Sequence, residues 1–242
     1  MVEFFANSLY SGFMASSGMG KGIVLAQLAG SLVMCTFIFG KFREIKGLLK
    51  ASRRVVRDIL RGQSVLTHYL ERQDNEHSPV ENIYWRTCDR LVNQLSPEVR
   101  AQIIARQPGV RAVLSKQDLN LVKSIAEQVY EEESIRSEWG MGVIATVVAL
   151  APMLGLLGTV WGVLDAFADM GAAGSATIAT MAPAISSALV TTVVGLLIAI
   201  PGVMAHNLLS ASLRELLTKM DGFLDDFLGC IGREFQESGR SA

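Results

Sequence analysis

Charged positions fall into blocks separated by three long apolar windows. Lys21 and Lys41 enclose nineteen uncharged residues, Glu138 and Asp165 enclose twenty-six, and no Asp, Glu, Lys or Arg occurs between Asp169 and Arg214. An uncharged apolar run of about eighteen residues or more is long enough to cross a bilayer as a helix. The first run, residues 22–40, spans roughly 28 Å at helical rise, about one hydrocarbon thickness. The second, residues 139–164, would extend roughly 39 Å and must tilt or project. The third window exceeds one crossing. Gly171–Ser175 has the composition of a turn, which leaves residues 181–207 as the third span, with Pro183 near its start and Pro201 near its inner end. No strand-like alternation of useful length interrupts this pattern. The expected fold is all-α: a polytopic membrane protein with three transmembrane helices and long cytoplasmic helical extensions.

Orientation follows from the charges that flank the first span. Lys41, Arg43, Lys46, Lys50, Arg53, Arg54, Arg57 and Arg61 follow it, against Glu44 and Asp58, whereas Lys21 alone precedes it. The positive-inside rule places residues 41 onward in the cytoplasm and the N-terminus outside. Asp165 and Asp169, with no basic neighbour, agree with an external second loop. Arg214 and Lys219 put the end of the third span inside. The expected organisation is an external segment 1–21, a span 22–40, a cytoplasmic helical domain 41–138, a span 139–164, an external loop 165–180, a span 181–207 and a cytoplasmic C-terminal helix 208–242. Residues 1–20 lack the basic start of a signal peptide. Phe4, Phe5, Leu9, Tyr10 and Phe13 fit either a short interfacial helix or a tail.

In the cytoplasmic part, composition predicts helices over 46–70, 83–95, 97–106 and 117–139, with turn chemistry at 73–79, 96–97 and 108–109. Leu119, Val122, Ile125 and Val129 recur on one face of the last of these. Beyond the third span, Leu209, Leu213, Leu216, Met220, Phe223 and Phe227 are spaced like a heptad stripe on a continuing helix that needs a packing partner. The cluster Glu131–Glu133 reads as a solvated helix face.

Composition removes most other classes. Half of the 242 residues are hydrophobic and 19% are charged, below the quarter or so usual in soluble domains. A net charge of −1 gives no footprint for nucleic acid. Cys35, Cys88 and Cys230 are an odd number without C-x-x-C spacing, which argues against a disulfide framework or a zinc site. The fragment 17–22, SGMGKG, lacks the Ser or Thr that a phosphate loop carries after its lysine. No Ser/His/Asp or Cys/His set emerges, so neither an enzyme nor a metal or cofactor site is expected.

The second and third spans hold the informative residues. Gly155, Thr159 and Gly162 lie on one helical face, and Gly158 with Gly162 forms a G-x-x-x-G. Ser187, Thr191 and Gly195 share a stripe, with Ser186 and Thr192 beside it. Small residues let helix backbones approach, and hydroxyls bond across helices or line a narrow polar path. Proton relays usually place Asp, Glu or His inside the spans. Here only His206, near the inner end, qualifies. A proton-moving assembly would need a carboxylate from a partner.

The segment 151–162, APMLGLLGTVWG, followed by Ala166 and Phe167, resembles the second-span signature of the TolQ/ExbB/MotA proton-channel family. The segment 182–201, APAISSALVTTVVGLLIAIP, followed by His206 and Asn207, resembles its third-span signature. The three-span plan matches TolQ and ExbB, whereas MotA has four spans. The acidic-aromatic tail 221–227 leans toward TolQ. The resemblance implies a stator subunit of the bacterial inner membrane, driven by the proton-motive force. In that family a pentamer surrounds two copies of a single-span partner, TolR or ExbD, whose membrane aspartate carries the proton, and work is passed on through TolA or TonB. Thr159 and Thr192 match the family's pore-facing threonines, with Thr191 and Ser187 beside them; Gly155, Gly158, Gly162, Gly195, Pro183 and Pro201 fall to helix packing. One departure stands out: TolQ and ExbB commonly carry glutamate where this chain has Ser187. The leading expectation is TolQ-like, with an ExbB-like subunit or a passive helical scaffold as alternatives.

Overall fold

The structure, a computed structural model, describes residues 10–60, 78–94, 114–173 and 178–235, with isolated positions 66, 69, 97, 100 and 101. Among these residues every regular element is helical. The long helices are α1 (Gly18–Leu60), α2 (Pro79–Gln94), α3 (Lys116–Glu138), α4 (Met141–Ala173) and α5 (Ile178–Phe235). A short helical stretch, residues 10–15, precedes α1. Three segments, Gly18–Leu49, Lys116–Ala172 and Met181–Phe235, are long and apolar enough to cross a membrane. The helices run past the apolar windows because the charged sequence beyond them is also rich in helix formers. Thus α1 continues from the first apolar run into the basic stretch, and α5 continues from the third run into the heptad stripe without a break.

Of the turn expected at Gly171–Ser175, residues 171–173 are helical instead, because α4 holds its helix through Ala173, and residues 174–175 lie outside the described residues. Asp165 and Asp169 therefore sit on helix rather than in a loop. Most of the expected helix 97–106, the turns at 96–97 and 108–109 and residues 73–77 of the turn at 73–79 lie outside the described residues apart from isolated positions, and Pro79 already begins α2.

The chain divides into two compact units, one of Met1–Phe42 with Gly140–Ser210 and one of Arg43–Trp139 with Ala211–Ala242. The boundary at Gly140 has a local cause. Its φ of 87° is left-handed, a conformation that favours glycine, and it ends α3 and begins α4.

The second unit has a conventional apolar core. Helix α3 starts at a capping box in which Ser115 Oγ accepts from Asp118 N and the Asp118 carboxylate accepts from Ser115 N. Helices α2 and α3 pack together. Leu213, Leu216, Met220, Phe223 and Phe227 of α5 are all buried, with the Phe227 ring 5.3 Å from Tyr84 and 5.5 Å from Phe223. On α3 the buried line is Val122, Ala126, Val129, Glu133 and Ser137. Glu133 thus departs from the solvated-face reading of the acidic cluster. It is buried because Asn82 Nδ2 donates to its Oε1 at 3.0 Å, whereas Glu131 and Glu132 stay exposed. Arg86 on α2 pairs with Glu132 and holds that carboxyl below the usual glutamate range. Burial pushes both the Cys88 thiol and the Tyr84 phenol well above their ordinary values.

Candidate functional site

The first unit brings α4 and α5 together along an antiparallel seam of small residues. A Cβ added at Gly155 would lie 2.8 Å from Thr192 Cα and 3.0 Å from Thr191 O. At Gly158 it would meet Thr191 Oγ1 and Cβ, and at Gly162 it would lie 2.6 Å from Ala188 Cβ. From the other side, a Cβ on Gly195 would stand 2.5 Å from Ala151 O. None of these four positions has room for a methyl group. Each lets a backbone lie against the facing helix, the role small residues take where apolar burial cannot drive association. Gly202 continues the seam against Val148. Pro183 and Pro201 both lie inside α5 without ending it and are exposed in the single chain. Pro152 lies within α4 and removes the helical partner of the Val148 carbonyl.

The hydroxyls divide into two pairs. Thr159 and Thr192 are half-buried and face each other across the seam, their Oγ1 atoms 3.5 Å apart, the outer edge of hydrogen bonding. Thr159 Oγ1 donates to Leu156 O at 2.7 Å, and Thr192 Oγ1 to Gly155 O at 2.9 Å. A hydroxyl has one proton and two lone pairs. With both protons spent on backbone carbonyls, the pair presents acceptor lone pairs to whatever approaches. Ser187 and Thr191 are buried instead. Ser187 Oγ donates to Ala184 O at 2.8 Å, and Thr191 Oγ1 lies 2.7 Å from Ala188 O and 3.1 Å from Gly155 O.

Ser187 and Thr191 line a cavity of about 200 Å³ together with Ser16, Ser17, Asp165 and Asp169. Ser17 also caps the start of α1, its Oγ accepting from Gly20 N, which is the structural role of the glycine-rich fragment. Sequence periodicity placed Ser187, Thr191 and Thr192 together, but it did not separate the Thr159–Thr192 pair from the two that line this cavity.

One residue escaped the sequence reading. Gln27, on α1, is 2% exposed, and its Nε2 donates to Ala151 O at 3.0 Å and to Thr191 O at 3.2 Å. It therefore joins α1 to both helices of the seam. The available signal was the cost of placing an amide in an apolar run, which calls for partners on other helices. Among the described residues no group of three or more His, Cys, Asp or Glu side chains could hold a metal ion.

Comparison with known proteins agrees with the two signatures. The model of the MotA/TolQ/ExbB proton channel family matches residues 97–222. The biopolymer transport protein ExbB of Xanthomonas campestris pv. campestris (strain B100) is 40% identical over 118 residues, 49% of this chain and 46% of that protein. The chain thus matches about half the length of that relative. The Tol-Pal system protein TolQ of Pseudomonas aeruginosa is 29% identical over 223 residues, 89% of each chain. TolQ of Haemophilus influenzae is 41% identical over 91 residues, 38% of this chain and 40% of that protein. A family match over more than half the chain falls on the α4–α5 seam that places the two threonines, and on that ground the chain belongs to the MotA/TolQ/ExbB proton channel family.

Proposed function

We propose that this chain is a TolQ-like stator subunit of a motor in the bacterial inner membrane, driven by the proton-motive force. Its N-terminus is external and its C-terminus cytoplasmic, following the basic block after the first span. Five copies surround a TolR-like single-span partner whose membrane aspartate shuttles the proton, and a TolA-like protein receives the work. The lipid bilayer covers the remaining apolar surface. No covalent chemistry is assigned to the chain.

The observation behind this reading is the Thr159–Thr192 pair. Both hydroxyl protons are held by backbone carbonyls, so the pair can accept a hydrogen bond from a protonated carboxylic acid or a hydrated proton but has no proton of its own to release. The sequence places no Asp, Glu, Lys, Arg or His at 22–40, 139–164 or 170–205. The titrating group then belongs to a partner. Proton entry protonates that carboxylate, lowers the cost of moving it past the apolar seam, and allows the inner partner to advance. Ser187 and Thr191, with Asp165 and Asp169 at the same cavity, would hydrate the external approach.

The TolQ branch is favoured by the match to P. aeruginosa TolQ over nine-tenths of both chains. An ExbB-like role, energising outer-membrane transport through a TonB-like protein, is the second reading. The higher identity to ExbB over the shorter segment favours it. The test is the native mass of the complex extracted with its own lipids, with co-purifying proteins identified. Five copies with two of a single-span protein bearing a membrane aspartate are expected, and that protein's sequence chooses the branch. A homo-oligomer alone would leave the path without its carboxylate and make a passive scaffold the better reading.

A further inference from the structure

Gln27 is placed where its amide reaches both helices of the seam. The two acceptors, Ala151 O on α4 and Thr191 O on α5, belong to backbone carbonyls. Carbonyls only accept, so the nitrogen and not the oxygen of the amide must face them. The amide occupies space left by two absent side chains: a Cβ on Gly195 would lie 2.8 Å from its Nε2, and one on Gly155 would lie 3.4 Å away. Its Oε1 is buried with no hydrogen-bond partner. An apolar side chain would fill this volume without stranding an acceptor. The nitrogen's two bonds are what distinguish Gln27 from such a filler.

Those bonds fall beside the threonine pair. The peptide group gripped on α5 joins Thr191 to Thr192, and the Ala151 carbonyl on α4 lies one turn before Gly155, whose own carbonyl accepts from Thr192 Oγ1. We propose that Gln27 is a positioning residue of the proton path, fixing the separation of α4 and α5 and so holding the Thr192 hydroxyl against Gly155 and beside Thr159. The role rests on the reading of Thr159 and Thr192 as lining that path. It assigns to the first span a part in setting the path's geometry, alongside its part in anchoring the subunit.

The test uses the complex purified with its co-purifying partner and reconstituted into liposomes with a trapped pH-sensitive dye. Flux is driven by a potassium diffusion potential at equal pH on both sides. Gln27→Met keeps length and approximate volume but has no donor. It is expected to assemble at native mass and to lower proton flux by about tenfold or more, since sub-ångström misplacement of a reacting partner is costly. Gln27→Glu gives a readout that a space-filling role would not move. The protonated carboxyl can donate to one of the two carbonyls, whereas the carboxylate faces two oxygens and repels both. Relative to wild type at each pH, its flux is expected to be near normal in acid and to collapse as pH rises. This chain has no titratable side chain at 22–34, 139–164 or 170–205; Asp165 and Asp169, at the cavity that Thr191 lines, and the partner's carboxyl are present in wild type too, so division by wild type removes their titration. Thr192→Val serves as the reference for the path itself. Normal flux in Gln27→Met with lost flux in Thr192→Val overturns the role of Gln27 and leaves the path standing. A flat Gln27→Glu ratio across pH also overturns it, even if Gln27→Met fails to assemble. Normal flux in Thr192→Val overturns the path, and this inference with it.

Discussion

Replacing Gly195 by alanine adds one methyl group at the tightest backbone contact of the seam. The new Cβ would stand 2.5 Å from Ala151 O, 3.2 Å from Ala151 C and 2.8 Å from Gln27 Nε2. Carbon and carbonyl oxygen normally approach no closer than about 3.3 Å. The helices must therefore part by roughly 0.8 Å, or the amide must leave. Alanine gains about 1 kcal/mol over glycine in helix propensity. Against it stand about 1–3 kcal/mol for overpacking a backbone contact and about 1 kcal/mol for each of the two Gln27 hydrogen bonds that the shift breaks. The net expectation is a loss of about 2–4 kcal/mol, roughly a 30- to 1,000-fold change in the folded-to-unfolded ratio. The control is Gly222→Ala, an exposed α5 position where no atom lies within 4 Å of the added Cβ, which should gain up to about 1 kcal/mol. Equilibrium unfolding in mixed detergent micelles, followed by the combined fluorescence of Trp85, Trp139 and Trp161, reports both. Because the two changes act on shared bonds, the cycle of Gly195→Ala with Gln27→Met should be non-additive by about 2 kcal/mol. A Gly195→Ala protein as stable as Gly222→Ala would show that α4 and α5 do not meet at Ala151, and the seam would be wrong.

Three further outcomes are expected. Thr159→Val and Thr192→Val, each close to isosteric, should abolish energy coupling while the complex keeps its mass, whereas Thr192→Ser should retain function; normal proton flux in the double valine variant would contradict the assignment. In the second unit, Phe227→Ala removes a fully buried ring packed on Tyr84 and Phe223, and should cost about 3–5 kcal/mol in unfolding experiments. Burial raises both the Cys88 thiol and the Tyr84 phenol, so the folded chain stays neutral at these sites while the unfolded chain ionises. Their contribution to stability is complete below about pH 8.5 and falls as pH rises beyond it. The thermal midpoint should drop between pH 8.5 and 10.5 (about two units spanning the ordinary thiol and phenol values), less steeply in Cys88→Ala.

The sequence showed those features that depend on local period and composition. Charge-free windows of bilayer length are properties of a single helix, so the apolar runs were legible, as was the heptad stripe from Leu213 to Phe227 that the structure buries. The seam glycines were legible as small residues at helical spacing, though not the atoms they face. Periodicity cannot say which side of a stripe meets a neighbour. Periodicity thus grouped Ser187 and Thr191 with Thr192, and it was the family resemblance that singled out Thr159 and Thr192; the structure has the first two lining a cavity and the last two facing each other. Gln27 and Glu133 were missed for one reason: each is a polar residue whose burial makes sense only through a partner distant in sequence, 124 and 164 residues away for Gln27 and 51 for Glu133. Asp165 and Asp169 were read as loop because helix propensity at the end of an apolar span is a weak guide to where a helix stops.

On the proposed reading, geometry and ionisation are divided between two chains. This subunit contributes hydroxyls whose protons are already engaged, a glycine seam that sets their spacing, and an amide that fixes the spacing. None of these titrates near neutral pH, so none can set the pH at which protons are taken up. The apparent pKa of conduction should belong to the partner's carboxyl, and seam variants should change the amplitude of flux while leaving its pH midpoint unmoved. Thr192→Ser is the informative case. It keeps the hydroxyl but loses the methyl that packs beside it, so flux should fall modestly, by a few-fold at most, with an unchanged midpoint. Gln27→Glu should differ in kind, because it introduces a titrating group where this chain has none. Proton flux measured from pH 5.5 to 8.5 (about the range flanking a membrane-embedded carboxyl raised by burial) separates the two behaviours. A midpoint that moves with Thr192→Ser by a unit or more would mean that the seam itself tunes the proton-binding group, and the division between the two chains would fail.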